Sequence, residues 1–430
     1  MQSPLPWAAS GGVEVHAPSG SQCIYCLGSR ALCGRRQCPI LLRYNKLQPV
    51  VRLRLEDRMV MNGASPPGVF VGRIGYPKVG VGPLVPPFFG DTSVMDKPES
   101  WWSIDLDTLV EYRSSLVRGI FRVDVHNPWG AGRLFELTQE MAMASQPADA
   151  SLEFSKPVKA RIILDEDAQP FGPYGLVEKL EAGSIKVDRV IEKAYYDEDL
   201  KASEAVYYAY SAGVPVSSIQ KALSAAVFGV GKRRRLVPTR WSITAVDSIL
   251  AERMIEKIRE YPEAGEHMVY ESQHIDNDFI VMIIPGKWSY EFIEMFHPGS
   301  VWNISGGEGV AIGSDYEDTE GRTTYARIGG CYYAARLAVA EHLKRIKRQA
   351  AVLVLREAGP GYLLPAGVWL VRENVRKALA SKPVCFGTLE AALTYAAKRL
   401  RTPWKMVLRE SRLLRNIRER RRITEYLKEE

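Results

Sequence analysis

The sequence predicts an α+β protein, and three observations support that class. Segments with alternating apolar residues, typical of strands, occur among segments whose apolar residues recur at helical spacing. Four of the six cysteines fall within sixteen residues near the amino end, and basic residues are concentrated in residues 398–430. We therefore expect a small N-terminal zinc knuckle on a mixed α+β body, followed by a C-terminal α/β part that ends in a cationic helix.

Length and composition limit the class of protein. The chain has 430 residues, of which 46% are hydrophobic and 25% charged, which suits two or three folded domains and excludes a mostly disordered chain. No run of eighteen apolar residues occurs, and the first ten residues lack the pattern of a secretion signal. We therefore expect a cytoplasmic protein. Abundant Arg and Tyr with few Asn and Gln are typical of thermophiles.

The elements of the first half follow from these patterns. Residues 1–22 are rich in Pro, Gly and Ser and are expected to form a poorly ordered lead-in. Residues 200–258 are expected to form three helices, the second after Pro215 and the third after Thr244, which has capping-box spacing with Asp247. Between these regions we expect strands at 50–55, 69–74, 120–125 and 160–164 and helices at 106–118 and 134–144.

In the second half, alternation followed by an apolar run predicts a meander of strands at 267–272, 279–284 and 290–296. A Gly-rich acidic loop is expected at 299–321. Beyond it we expect a helix at 330–347, a strand at 351–356, a helix at 389–400 and a long cationic helix to the end. The resulting organisation is a lead-in with a zinc-binding module (1–45), an α+β domain (46–265) and a C-terminal domain with a basic helical tail (266–430).

The cysteine cluster has the spacing of a metal site. Cys23, Cys26, Cys33 and Cys38 form a C-x2-C-x6-C-x4-C pattern. Two short pairs of thiolates can surround one tetrahedral zinc ion, and a module this small would draw its folding energy from the metal. An iron–sulfur cluster and buried cysteines without a metal remain the alternatives. We expect a structural zinc.

A glycine-rich segment after a predicted strand suggests a phosphate site. Five glycines lie within sixteen residues, together with Arg73, Tyr76 and Lys78. Backbone N–H groups near Gly72 and Gly75 can approach a phosphate while the cations neutralise it. The segment matches neither the P-loop nor the dinucleotide fingerprint, and tight strand turns explain the glycines equally well.

A second cationic segment leads into a predicted helix. Residues 232–235 are all basic, and Arg240, Trp241 and Ser242 follow at the helix start. A helix start already favours anions, so Arg240 could grip a phosphate while Trp241 stacks on a base. Trp241 is also compatible with a core position. If the two segments meet, Asp247 becomes a candidate acid, base or metal ligand.

Two other patterns have simpler structural explanations. Residues 203–228 have the outline of a helix-turn-helix but offer few basic side chains to a groove, which favours a packed helical hairpin. The densest set of titratable residues comprises His267, Glu271, His274, Asp276 and Asp278. The polar face of a strand hairpin explains this set better than a metal site does.

The net charge lies in the tail. Residues 398–430 contain twelve basic and five acidic residues, which accounts for the whole formal charge of +7. A neutral body with a cationic end predicts binding to a polyanion such as DNA, and a solvated helix face is the alternative.

Four spaced motifs carry a resemblance to a known family. They are the cysteine knuckle, FVGRIGYPKVGVGP at 70–83, PTRWSITAVD at 238–247 and GCYYAARLAVAEH at 330–342. Together, over nearly the whole chain, they resemble the archaeal Nre family of DNA-repair-associated proteins. The resemblance implies a role in the DNA damage response, a zinc-bearing amino end and, in one branch of the family, a C-terminal motif that docks on the sliding clamp PCNA.

The clamp motif departs from the usual pattern here. Its frame falls on Arg420, Ile423, Tyr426 and Leu427. The aliphatic residue and the first aromatic fit, but Arg replaces Gln and Leu replaces the second aromatic. A cationic helix that packs on the body or contacts DNA is the alternative for this segment.

We therefore expect a DNA-repair factor whose zinc module and basic tail bind DNA, duplex or single-stranded, with PCNA as a further partner and no membrane contact. The rival hypothesis is an enzyme acting on a nucleotide or nucleic-acid phosphate, in a cleft formed by residues 72–78 and 240–247. The sequence leaves open whether the protein is catalytic.

Overall fold

A computed structural model gives the fold and describes residues 2–4, 13–18, 23–26, 32, 38–54, 59–163, 171–303 and 309–419. The chain divides into two compact units, Met1–Leu250 with Leu364–Gly367 and Ala251–Leu363 with Val368–Glu430. Helices and strands occur in both units, which confirms the mixed α+β class. Within the described ranges, no helix combines the length and the apolar character needed to cross a membrane.

The first unit contains nine strands and eight α-helices in the part of the chain that the structure describes. In chain order these are β1 (Gln2–Pro4), β2 (Val13–Pro18), α1 (Cys23–Cys26), α2 (Pro39–Arg54), β3 (Val60–Ser65), β4 (Val69–Val71), β5 (Lys78–Val85), α3 (Leu106–Ser115), β6 (Val117–Asp124), α4 (Arg133–Ala142), β7 (Ala148–Phe154), β8 (Ala160–Ile163), β9 (Tyr174–Ala182), α5 (Arg189–Tyr196), α6 (Ala202–Ser211), α7 (Val216–Ser224) and α8 (Thr239–Ile258). The unit boundary at Leu250 falls within α8.

A six-stranded sheet organises the first unit, in the order β3-β7-β9-β6-β5-β4. β6 and β9 are parallel, and the other neighbouring strands are antiparallel. Val79, Val81 and Phe121 are buried on one face of the sheet, where Phe135 of α4 packs against them. The predicted α3, α4, β4, β6 and β8 all begin within three residues of their expected starts, because their apolar spacing already identifies the buried face.

A three-stranded sheet, β1-β2-β8, corrects two expectations for the amino end. Part of the predicted lead-in forms β1 and β2, and β2 pairs in parallel with β8. The predicted strand at 50–55 is instead the end of α2. Ile40, Leu47 and Val51 recur at helical spacing and pack against residues of β8, and this packing maintains the helix despite Pro49 in its interior.

The helical region at 200–258 folds into α6, α7 and α8. The second of these starts at Val216, as expected. Seven of the nine residues of α7 are buried, which confirms a packed hairpin and leaves no exposed recognition helix there. α8 begins at Thr239, earlier than expected, because Pro238 O accepts the N–H groups of Trp241 and Ser242 and so opens the first turn.

The second unit contains six strands and five helices of its own among the residues described. In chain order these are β10 (His267–His274), β11 (Asn277–Ile284), β12 (Ser289–Phe296), β13 (Ala311–Glu317), α9 (Gly330–Ile346), β14 (Ala351–Ala358), α10 (Trp369–Ala380), β15 (Val384–Phe386), α11 (Leu389–Ala397), α12 (Trp404–Glu410) and α13 (Arg412–Glu419).

The sheet of the second unit has the order β13-β12-β14-β11-β10-β15. β12 and β14 run parallel, and the other neighbours are antiparallel. The strands predicted in 266–296 exist, but they form no simple meander because β14 lies between β11 and β12. β13 lies in the segment predicted as an acidic loop. There Asp315 Oδ1 lies 3.0 Å from Arg322 Nη1, and Glu317 Oε1 lies 2.8 Å from Arg336 Nε.

A buried ion pair joins the two parallel strands. Arg356 of β14 lies opposite Glu294 of β12, with Arg356 Nη1 2.6 Å from Glu294 Oε1. Arg356 Nε donates to Asn277 Oδ1 at 2.9 Å. The rings of Phe296 and Tyr362 lie over the guanidinium, with centroids 5.4 and 5.1 Å from its carbon. The pair is therefore enclosed in the core of this unit.

As far as the structure describes it, up to residue 419, the predicted long cationic helix is two short helices, α12 and α13, separated at Ser411. Glu291, a buried carboxylate of β12, accepts hydrogen bonds from the Ser411 hydroxyl and from the N–H groups of Arg412 and Leu413, the latter two at 2.8 and 3.1 Å. These bonds cap the start of α13. Leu413 is 1% exposed and packs in the core beneath the sheet. The tail is therefore docked on the body through α13.

Candidate functional site

The glycine-rich segment forms the hairpin between β4 and β5. Gly72 N donates to Gly80 O at 2.8 Å, and Lys78 N donates to Gly75 O at 3.0 Å. Gly75 has φ of +84°, and a Cβ at this position would lie 2.9 Å from Lys78 O, so the turn requires glycine. The hairpin leaves the side chains of Arg73, Tyr76 and Lys78 exposed.

The start of α8 lies beside this hairpin. Thr239 Oγ1 accepts a hydrogen bond from Val71 N at 2.9 Å, which fixes the first turn of α8 against β4. The rings of Tyr76 and Trp241 meet with centroids 5.6 Å apart and an interplanar angle of 49°. Trp241 is 47% exposed and Tyr76 49% exposed, so Trp241 is not a core residue. The structure thus brings together residues 72–78 and the start of α8, the two segments that the sequence analysis placed in one cleft.

β6 completes the surface with a cation that sequence analysis missed. Arg122 Nη1 donates to Lys78 O at 3.2 Å, and Arg122 is exposed. The ring of His126 lies 6.3 Å from that of Tyr76. The alternation of β6, which puts Arg122 on the face opposite the buried Phe121, was the available signal. We call the resulting surface the aromatic–basic platform, formed by Arg73, Tyr76, Lys78, Arg122, Arg240 and Trp241.

Two of the predicted site residues lie beneath this platform and not on it. Ser242 and Asp247 are fully buried. Ser242 Oγ donates to Gln220 O at 2.6 Å, and Gln220 Nε2 donates to Asp247 Oδ1 at 3.0 Å. Both residues therefore attach α8 to α7. Arg240 remains exposed beside Trp241. Phosphate binding by the exposed residues stays a prediction.

The cysteine module is described only in part. Cys23 and Cys26 lie in α1, and Cys38 directly precedes α2. Cys23 and Cys38, the two ends of the pattern, pack against the same apolar cluster around Ile40. Cys33 lies outside the described residues. In the described part of the chain, no three or more His, Cys, Asp or Glu side chains are grouped to hold a metal ion, so zinc binding by the full set stays a prediction.

The remaining predicted residues have other placements. His267, Glu271 and His274 lie on β10 of the expected β10–β11 hairpin. The motif at 330–342 forms most of α9, where eleven residues of the helix are buried, so its sequence reflects packing in the core. The clamp-motif residues Arg420, Ile423, Tyr426 and Leu427 lie outside the described residues.

Comparison with known proteins identifies the family. Residues 32–303 match the family model for the N-terminal part of archaeal Nre, and residues 317–426 match the model for its C-terminal part. The chain is 44% identical over 377 residues to a protein of Archaeoglobus fulgidus named DNA repair protein NreB, covering 87% of this chain and 92% of that protein. It is 38% identical over 380 residues to DNA repair protein NreA of the same organism, covering 88% and 94%.

A third relative is DNA repair protein NreA of Haloferax volcanii, which is 34% identical over 326 residues, covering 74% of this chain and 77% of that protein. No solved structure matches the chain. Two family models account for most of the sequence, in the order that the four motifs suggested. The chain therefore belongs to the archaeal Nre family.

Proposed function

We propose that this protein acts in DNA repair by binding DNA through the aromatic–basic platform. The names of the three relatives support the repair role. The observation that carries the binding role is the contact between the half-exposed rings of Tyr76 and Trp241. Exposed aromatic rings stack on nucleobases, and each stacked base contributes about 1–3 kcal/mol.

The cations around the rings suit the backbone of a nucleic acid. Arg73, Lys78, Arg122 and Arg240 are all exposed in the first unit. Asp124, the acidic residue paired across the strands with Lys78, accepts a hydrogen bond from the backbone N–H of His126 at 2.9 Å and is only partly exposed. Positive side chains beside stacking rings can neutralise phosphates while bases pack on the rings.

The second unit offers a separate basic surface. Docking of α13 by Glu291 and Leu413 turns its basic residues outward at fixed positions. The exposed cations of α12 and α13 in their described parts are Lys405, Arg409, Arg412, Arg415 and Arg418. This arrangement supports a sequence-independent contribution of the tail to DNA affinity, strongest at low salt.

The platform can be tested by fluorescence anisotropy with labelled single-stranded and duplex DNA across a salt series. Arg73→Ala and Arg240→Ala should each lower the log–log salt slope by about 0.9 for duplex DNA or about 0.7 for a single strand. Trp241→Ala should cost about 1–3 kcal/mol of binding with little change in slope. Arg189→Ala, an exposed cation of α5, is the matched control. Unchanged binding in all three platform variants would overturn the proposal.

We also propose that Cys23, Cys26, Cys33 and Cys38 hold one structural zinc ion. The convergence of Cys23 and Cys38 on the apolar cluster around Ile40 supports this, because one tetrahedral ion requires the two ends of the pattern to lie together. When bound, zinc would cross-link a module that has little core of its own.

The degenerate clamp motif is a further proposed contact. The described part of α13 reaches Glu419, directly before Arg420, so a PCNA-binding segment would follow a helix that is docked on its own body. The rival enzyme hypothesis retains the cations of the platform. It has lost Asp247 as an accessible acid, base or metal ligand, because that carboxylate is buried against Gln220.

A further inference from the structure

The tip of the β4–β5 hairpin exposes an aliphatic side chain. Ile74 is 85% exposed, more than any other large hydrophobic residue in the part of the chain that the structure describes. It lies in the sequence between Gly75 and Arg73, which belongs to the aromatic–basic platform. An isolated exposed Ile is common, but this one is at the end of a turn whose neighbours are cations and exposed rings.

The hairpin is held rigidly on both sides. Its base is closed by Gly72 N to Gly80 O at 2.8 Å, and the Arg122 guanidinium donates to Lys78 O at 3.2 Å. Val125 N donates to Pro77 O at 3.0 Å, which ties the loop to the end of β6. The tip is therefore preorganised, so insertion of its side chain into a partner would cost little additional ordering of the loop.

Ile74 lies in a hairpin with an exposed aromatic residue that contacts a second one, a setting that suits insertion of its side chain between stacked bases. Two residues further on, Tyr76 packs on Trp241, and both residues remain about half exposed. Apolar wedges such as Ile enter DNA between base steps and partly unstack them, at a cost of about a few kcal/mol per step. That cost is smallest where stacking is already weakened by a mismatched, damaged or unpaired base.

We propose that Ile74 inserts into duplex DNA at a step with a stacking defect, while Tyr76 and Trp241 receive the displaced base and the platform cations hold the phosphates. The partner is then a duplex containing a mismatch or an abasic position, in preference to a continuous duplex. This inference rests on the proposed DNA binding through the platform. It adds the class of DNA recognised and the residue that detects it.

The experiment compares two duplexes of identical length and sequence, one fully paired and one with a single abasic position opposite a 2-aminopurine. The wild-type protein should bind the defective duplex about tenfold more tightly and change the 2-aminopurine fluorescence. Ile74→Ala should lose this preference and the fluorescence change, while its affinity for the paired duplex stays nearly the same.

Phe89→Ala is the matched control. Phe89 is 62% exposed and follows the end of β5 by four residues, as Ile74 precedes its start by four. This variant should behave as the wild type, and thermal melting should show both variants folded, because both side chains are exposed. Retained preference in Ile74→Ala, or equal wild-type binding to both duplexes, would overturn the wedge and leave the platform proposal intact. Wild-type protein that binds neither duplex would overturn the wedge, and failure to bind the corresponding single strand as well would overturn both proposals.

Discussion

Replacing His342 by Gln should reduce the loss of unfolding free energy that this protein shows as the pH falls below neutrality. His342 lies on α9 and is 6% exposed. Arg345 Nη2 lies 2.9 Å from His342 Nδ1, and the Tyr270 ring lies 5.3 Å from the imidazole. Burial, followed by the charge of Arg345, lowers the pKa of His342 from 6.5 to about 4. The folded protein therefore keeps this imidazole neutral where the unfolded chain protonates it.

The size of the effect follows from that difference in pKa. The contribution of the neutral His342 imidazole to the unfolding free energy is complete above pH 6.5. It is lost as the pH falls towards 4, because only the unfolded state binds the proton in this interval. At 1.36 kcal/mol for each unit of pKa shift, the loss between pH 7 and pH 5 is about 2 kcal/mol. The His342→Gln variant cannot gain this proton. Its unfolding free energy should fall by about 2 kcal/mol less over the same pH interval.

The assay is urea unfolding of both proteins at pH 7 and pH 5, followed by circular dichroism. Taking the difference between the two proteins removes the contribution of every other titrating group, provided that the slopes against urea agree. Equal pH dependence in the two proteins would refute the reasoning. An NMR titration that placed the pKa of His342 near 6.5 would refute it independently.

Three further predictions concern the ends of the chain. Purified protein should contain about one zinc per chain, and Cys23→Ser should release it; elemental analysis that finds full zinc in the variant contradicts the assignment. Leu413→Ala should lower the unfolding free energy by about 2–5 kcal/mol, and a much smaller change in urea unfolding would mean that α13 is not docked. Ile423→Ala combined with Tyr426→Ala leaves every charge in place, so it should abolish any PCNA binding measured by calorimetry while DNA affinity is kept.

Sequence patterns were sufficient where a segment carries a long apolar run. Phe279 to Ile284 in β11 are apolar and buried throughout, and α9 has eleven buried residues, so both elements could be located without reference to the rest of the chain. The pattern misled at Val51, where adjacent β-branched residues after Pro49 suggested a strand. Contacts of α2 with β8, over a hundred residues later, decided that segment. β13 was missed because the carboxylates of Asp315 and Glu317 are paired with arginines that follow the strand.

The residue types of the candidate site, and the idea that its two segments meet, came from the sequence, but the contacts that assemble the surface did not. Glycines and cations identified the hairpin, and Arg240 with Trp241 identified the start of α8. Their contact depends on the hydrogen bond from Val71 N to Thr239 Oγ1, which joins residues 168 positions apart. No local pattern encodes such a bond. Nor does any local pattern reveal that Gln220 donates a hydrogen bond to Asp247, which is buried and not at the surface.

The Glu294–Arg356 pair also limits how the sequence of this protein can change. Loss of either partner alone would leave a buried, uncompensated charge, at a cost of about 3–5 kcal/mol. Replacement of both by apolar residues of similar volume would be nearly neutral. A single substitution at either position is therefore strongly disfavoured. A change from the ion pair to a pair of apolar residues requires both positions to change together. In descendants of a common ancestor, the residue at one position should foretell the residue at the other.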